Sequence, residues 1–96
     1  MAKYKLTGKA KKDLLDIIEY TQKQWGRSQT RIYIDRIEER CQMLADNPSI
    51  GRDMNEIAPG LLSYPVESHV VYYKRQGDDI FVIRVLHKRM LADKHR

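Results

Sequence analysis

Between residues 9 and 46 the apolar side chains of this 96-residue chain recur every three or four positions, and after residue 60 they alternate. A helix repeats its face every 3.6 residues and a strand every two, so one type of element cannot satisfy both halves. The pattern predicts an α+β fold: a strand, an α-helical hairpin, then a three-stranded antiparallel sheet. Ninety-six residues can bury one core but not two, so residues 1–96 are read as a single domain.

The punctuation sharpens this. Lys3 to Leu6 alternates and suits an edge strand, after which Thr7 can cap a helix. From Lys9 to about Gln24, Leu14, Ile17 or Ile18, Thr21 and Trp25 form the apolar stripe. Gly26 permits the left-handed residue that closes a helix, and Ser28 can cap the next one. There the stripe is Tyr33 or Ile34, Ile37, Cys41 and Leu44, and Asp46-Asn47-Pro48 ends it because proline disfavours a helical residue before it. Ile50 to Gly60 has no clean period and is expected to be an ordered surface connector. Three strands follow, Leu61 to Val66, His69 to Arg75 and Ile80 to His87, with a turn at Gln76-Gly77-Asp78-Asp79. The last is apolar on both faces apart from Arg84 and His87, which predicts the middle of the sheet. Lys88 to Arg96 is a short basic tail expected to be partly mobile.

Composition excludes several classes of function. No apolar run nears the roughly 20 residues of a membrane span, and the N-terminus lacks the apolar stretch of a signal peptide, so the cytoplasm is the expected location. The single cysteine, Cys41, rules out an internal disulfide framework, and its place on the helical stripe marks it as core. His69, His87 and His95 lack ligand spacing, so no metal and no cofactor is expected. A formal charge of +5 favours acidic partners. No helix-turn-helix pattern is present and the second helix mixes both signs of charge, so direct nucleic-acid binding is not expected.

Leu44-Ala45-Asp46-Asn47-Pro48-Ser49-Ile50-Gly51-Arg52 after the helices resembles the toxins of the RelE/ParE superfamily. Two further stretches are similar to the ParE branch: Pro59-Gly60-Leu61-Leu62-Ser63-Tyr64-Pro65-Val66 leading into His69-Val70-Val71-Tyr72-Tyr73, and Ile83 to Met90. The resemblance spans essentially the whole chain. It implies a type II toxin in a hetero-oligomer with a ParD-like antitoxin. In the ParE branch it implies poisoning of DNA gyrase, and in the RelE branch cleavage of mRNA on the ribosome.

Cleavage of RNA needs a base, an acid and cations over the phosphate. Arg52, His69, Arg75, Arg84, His87, Lys88 and Arg89 are the residues that could converge, and the runner-up catalytic set is His87, Arg52, Arg84 and Lys88. Nuclease members of the superfamily usually carry a Tyr or His just after the last strand. This chain has His87 but no tyrosine beyond residue 73, and a histidine closing a strand more often hydrogen-bonds a backbone group or, here, Arg52. The expectation is therefore an inhibitor that acts by binding rather than an enzyme, with His87, Lys88, Arg89, Met90 and Leu91 on the target.

Six tyrosines and Trp25 are many amphipathic rings for this length. Tyr72 and Tyr73 are neighbours on a strand and point opposite ways, so one of them is expected to face outward or lie under a partner. Leu15, Ile18, Trp25, Tyr72 and Tyr73 are the candidate antitoxin contacts, in a groove beside the hairpin or on a sheet face that the helices leave uncovered.

Overall fold

A computed structural model describes residues 2–89. The elements are β1 (Tyr4–Leu6), a helical segment α1 (Gly8–Asp46), a 3-10 turn (Pro48–Ile50), β2 (Arg52–Asp53), β3 (Leu62–Val66), β4 (His69–Gln76) and β5 (Asp79–His87). The α1 segment is two helices meeting at Gly26, whose φ of 84° and ψ of 175° are not helical. Glycine takes that conformation at little cost, so the predicted break falls where the sequence puts it. The cap expected from Ser28 is not formed among the described residues; Thr30 instead donates its hydroxyl to the Gly26 carbonyl at 2.8 Å. Residues 22–29 are all exposed, so the tip of the hairpin stands clear of the sheet.

Thr7 anchors the start of the first helix twice. Its Oγ1 accepts from the Ala10 N–H at 3.1 Å and donates to the Ile83 carbonyl at 2.8 Å. The second helix closes at Asn47, whose N–H donates to the Met43 carbonyl, and Pro48 then opens the 3-10 turn.

The sheet has five strands in the order β1-β5-β4-β3-β2. Three strands were expected after the helices; the fourth, β2, is a two-residue edge on β3. β1 pairs parallel with β5 and the other pairings are antiparallel, so Lys3 to Leu6 is an edge strand as expected. β5 is flanked on both sides, but the middle of the sheet belongs to β4, because β2 lengthens the far side. Pro65 is tolerated on β3 because β2 covers only Leu62 and Ser63, leaving Pro65 on an edge where its missing N–H costs no ladder bond.

The helices cover one face of the sheet. Ala10, Ile17, Ile37, Cys41 and Leu44 pack there on Val71, Tyr73, Ile80, Val82 and Val85. Cys41 is core, and burial pushes its thiol up to about 12. A β-bulge between β4 and β5 pairs Tyr72 with Arg84 and Tyr73 with Val82. The extra residue, Ile83, lets both Val82 and Val85 face the helices while Ile83 turns to the opposite side.

That opposite side is not bare. Leu61, Val70, Tyr72 and Leu86 form a second cluster with Met54, Ala58 and Ile83 packed against it. The connector is folded for this purpose: Met54 donates to the Leu61 carbonyl, Leu61 to Ala58, and the Gly60 N–H to the Asn55 side chain at 2.7 Å. The expectation that Tyr72 or Tyr73 faces outward is therefore wrong. Tyr73 is 0% and Tyr72 6% exposed, because helices cover one face of their strand and the connector covers the other.

Tyr73 also explains the Asn47 to Arg52 motif. Its hydroxyl donates to the Pro48 carbonyl at 2.8 Å, and a Cβ on Gly51 would stand 2.7 Å from its ring Cζ. The glycine leaves room for the ring, so this stretch is a packing device.

Candidate functional site

A groove of about 480 Å³ opens between the first helix and the ends of β4 and β5. Its helix wall carries Asp13, Asp16, Ile17, Tyr20, Thr21 and Trp25, and its floor carries Tyr33, His69 and His87. Tyr20 is 65% and Trp25 71% exposed, so two large rings stand at the mouth without burial of their own. Trp25 was expected on the core stripe; it lies instead on the projecting tip of the hairpin.

The floor is tightly organised. His69 and His87 are directly opposed across β4 and β5, with ring centroids 5.1 Å apart and edge to face. The Ser68 N–H donates to the Tyr33 hydroxyl oxygen at 3.2 Å, and the same hydroxyl is hydrogen-bonded to Nδ1 of His69 at 2.6 Å. Burial first, and the neighbouring His87 second, push His69 down to about 4, with Asp13 pulling weakly the other way. Nδ1 of His87 accepts the Arg89 N–H at 3.0 Å, which leaves the proton of its neutral form on Nε2. Of the two partners expected for His87, a backbone group or Arg52, the bond is to backbone, and Arg52 lies three strands away.

Asp13 and Arg84 form a bidentate, partly buried ion pair. Arg84 donates through Nε at 2.8 Å and through its second nitrogen at 3.0 Å, and the same carboxylate accepts the Val85 N–H at 3.0 Å. The hydrogen bonds that Arg84 donates to Asp13 raise the Arg84 pKa. A bidentate guanidinium so engaged ties the first helix to β5 and has its charge compensated by Asp13.

The other sequence candidates do not gather here. Arg52 is on β2, which is separated from Arg84 by β3 and β4, roughly 14 Å at the usual spacing of strands. Arg75 is near the opposite end of β4 from His69. Of the runner-up set of His87, Arg52, Arg84 and Lys88, Arg52 is therefore remote, because β2 forms the far edge of the sheet, whereas Arg84, His87 and Lys88 all lie at or just after the end of β5. Lys88 and Arg89 are exposed beside His87, and the Lys88 N–H donates to the Ser68 carbonyl. Met90 and Leu91, like the rest of the tail and His95, lie outside the described residues. Among the described residues no group of three or more His, Cys, Asp or Glu could hold a metal ion, and no helix is long and apolar enough to cross a membrane.

Of the candidate antitoxin contacts, Leu15 and Trp25 are exposed and Ile18 is half-buried, but Tyr72 and Tyr73 are closed off from any partner. Sequence reasoning missed Asp13, Tyr20 and Tyr33 as site residues. Asp13 carried a signal, since it lies on the same helical face as Ala10 and Ile17, where a carboxylate needs a cation.

This fold is shared with a chain of the solved chromosomal ParDE TA system from P. aeruginosa, at a TM-score of 0.77 and 21% identity over 91% of this chain and 96% of that one. The family model for the ParE toxin of the type II toxin-antitoxin system, parDE, matches residues 4–92. Toxin ParE of Escherichia coli is 38% identical, covering 98% of this chain and 97% of its own length. Toxin ParE1 of Caulobacter vibrioides is 36% identical over 99% and 98%, and Toxin ParE1 of Mycobacterium tuberculosis 35% over 98% and 97%. The class is thus that of type II toxins. Within it, the chain belongs to the ParE toxin family.

Proposed function

We propose that this chain arrests growth by binding DNA gyrase in the cytoplasm, without enzymatic activity of its own, and that a ParD-like antitoxin binds and neutralises it. The observation that carries the non-enzymatic reading is that two of the four nuclease candidates are placed elsewhere: Arg84 is paired with Asp13 and Arg52 is on the far edge of the sheet. His87, Lys88 and Arg89, at the end of β5 and partly or fully exposed, offer a surface for a target, and Leu15 and Trp25 offer apolar contacts for an antitoxin.

A purified supercoiling assay tests this. Excess toxin is expected to inhibit gyrase and to accumulate cleaved DNA, and untouched gyrase activity refutes the reading. The alternative is a ribosome-dependent mRNA endonuclease, whose one supporting observation is the Tyr33-His69-His87 cluster. Cleaved message in a translating extract, lost in His87→Ala, would establish it.

A further inference from the structure

Val66 and His69 pair where β3 meets β4, so Glu67 and Ser68 are the two residues of the turn between them. Glu67 has a φ of 56°, a left-handed backbone that a two-residue hairpin needs but that glutamate, unlike glycine or asparagine, adopts at a cost. Two side chains of the second helix, one turn apart, hold this hairpin from outside. Arg36 donates to the Glu67 carboxylate, and the Tyr33 hydroxyl accepts the Ser68 N–H at 3.2 Å. We propose that Tyr33 is a positioning residue for the target surface: its hydroxyl, with Arg36 in support, fixes the Glu67-Ser68 turn and the His69-His87 pair, and through them the backbone of Lys88 and Arg89. This rests on the reading above that His87, Lys88 and Arg89 meet gyrase.

Two routes run from the one oxygen of Tyr33. In the first, the turn it holds presents the Ser68 carbonyl, which accepts the Lys88 N–H at 3.0 Å. In the second, the same hydroxyl is bonded to Nδ1 of His69 at 2.6 Å, the His69 ring stands edge to face with that of His87 at 5.1 Å, and Nδ1 of His87 accepts the Arg89 N–H at 3.0 Å. The two residues that leave β5 are thus each tied by their backbone to a partner that Tyr33 orients. β5 ends at His87, so Lys88 and Arg89 lie outside the ladder, and these two bonds set where their exposed side chains point. The side chains of the Arg36-Glu67 pair are 56% and 42% exposed. An ion pair so placed adds little to global stability, and its effect is on the local geometry of a turn that its own backbone does not favour.

Amide hydrogen exchange followed by NMR on the full chain reads local opening residue by residue. Tyr33→Phe keeps the ring and removes both bonds of its hydroxyl, and is expected to speed exchange at Lys88 and Arg89 about tenfold or more. Arg36→Gln, which loses only the exposed pair, is expected to speed it roughly two- to fivefold. Neither change should move the amides of the fully buried Val71 and Val82, and Tyr64→Phe, at a tyrosine of β3 outside this network, should move none of them. In a supercoiling assay the toxin concentration that half-inhibits gyrase is expected to rise in the same order, several-fold for Tyr33→Phe, less for Arg36→Gln and not at all for Tyr64→Phe. Unchanged exchange at Lys88 and Arg89 in Tyr33→Phe overturns the proposal, and so does an equal increase at Val71 and Val82, which would mark a merely structural residue. Faster exchange with undiminished inhibition overturns it too. So does weaker inhibition without faster exchange, which would mean that the hydroxyl touches the target itself. If the parent chain leaves gyrase untouched, the target assignment falls, while exchange still decides whether Tyr33 fixes this end of the chain.

Discussion

Replacing Gly51 with alanine adds a single methyl group where the Tyr73 ring already sits. The backbone of Gly51, at φ −69° and ψ 155°, suits any residue, so the substitution isolates the effect of the added carbon. That carbon would stand 2.7 Å from Cζ and 3.0 Å from Cε1 of Tyr73, and closer still to the hydroxyl oxygen. Tyr73 is fully buried and cannot swing aside without opening the core. Overpacking of this kind costs about 1–3 kcal/mol, and displacing the hydroxyl from the Pro48 carbonyl adds about 1 kcal/mol. The expected loss of about 2–4 kcal/mol corresponds to a fall in Tm of roughly 10–25 °C for a domain of this size. Thermal denaturation followed by circular dichroism measures it. A double-mutant cycle with Tyr73→Phe identifies the cause. The phenylalanine alone should cost about 1 kcal/mol, and the double variant should lose at least about 1 kcal/mol less than the sum of the single changes. A Gly51→Ala protein that melts within about 2 °C of the parent, or strict additivity in the cycle, would refute the packing explanation of this motif.

Other consequences follow from the same contacts. Asp13→Asn strips Arg84 of its counter-charge and is expected to destabilise by about 2–3 kcal/mol in urea unfolding, with Arg84→Met in the same chain recovering part of the loss. Thr7→Ala removes both the helix cap and the bond to Ile83 and should cost about 1–2 kcal/mol, whereas Thr7→Ser should retain most of it. His69, down at about 4 in the folded chain against 6.5 in the unfolded one, binds its proton preferentially when unfolded. Its contribution is therefore intact above pH 6.5 and is lost as pH falls toward 4. The full gap would be worth about 3.4 kcal/mol, and partial access of the ring to solvent reduces this to about 2 kcal/mol. His69→Gln should flatten that part of the Tm-against-pH curve, and an unchanged slope would show that His69 is not its source.

By itself the sequence determined the order of the elements other than β2, the break at Gly26, the stop at Asn47-Pro48, the burial of Cys41 and the family. Each of these is a local property: a period, a cap, a breaker, or a short stretch of residues at fixed separation. Tertiary structure decided which side chains meet. Arg84 finds Asp13, 71 positions away, and Tyr33 finds His69, 36 positions away, through strand register and the packing of the hairpin. Periodicity showed that Tyr72 and Tyr73 face opposite ways, but not that a connector without a period folds back to cover the second face. The same limit applies to Trp25. Its spacing fits the apolar stripe, yet the hairpin outruns the sheet, so the ring has no core to enter and stands at the mouth of the groove.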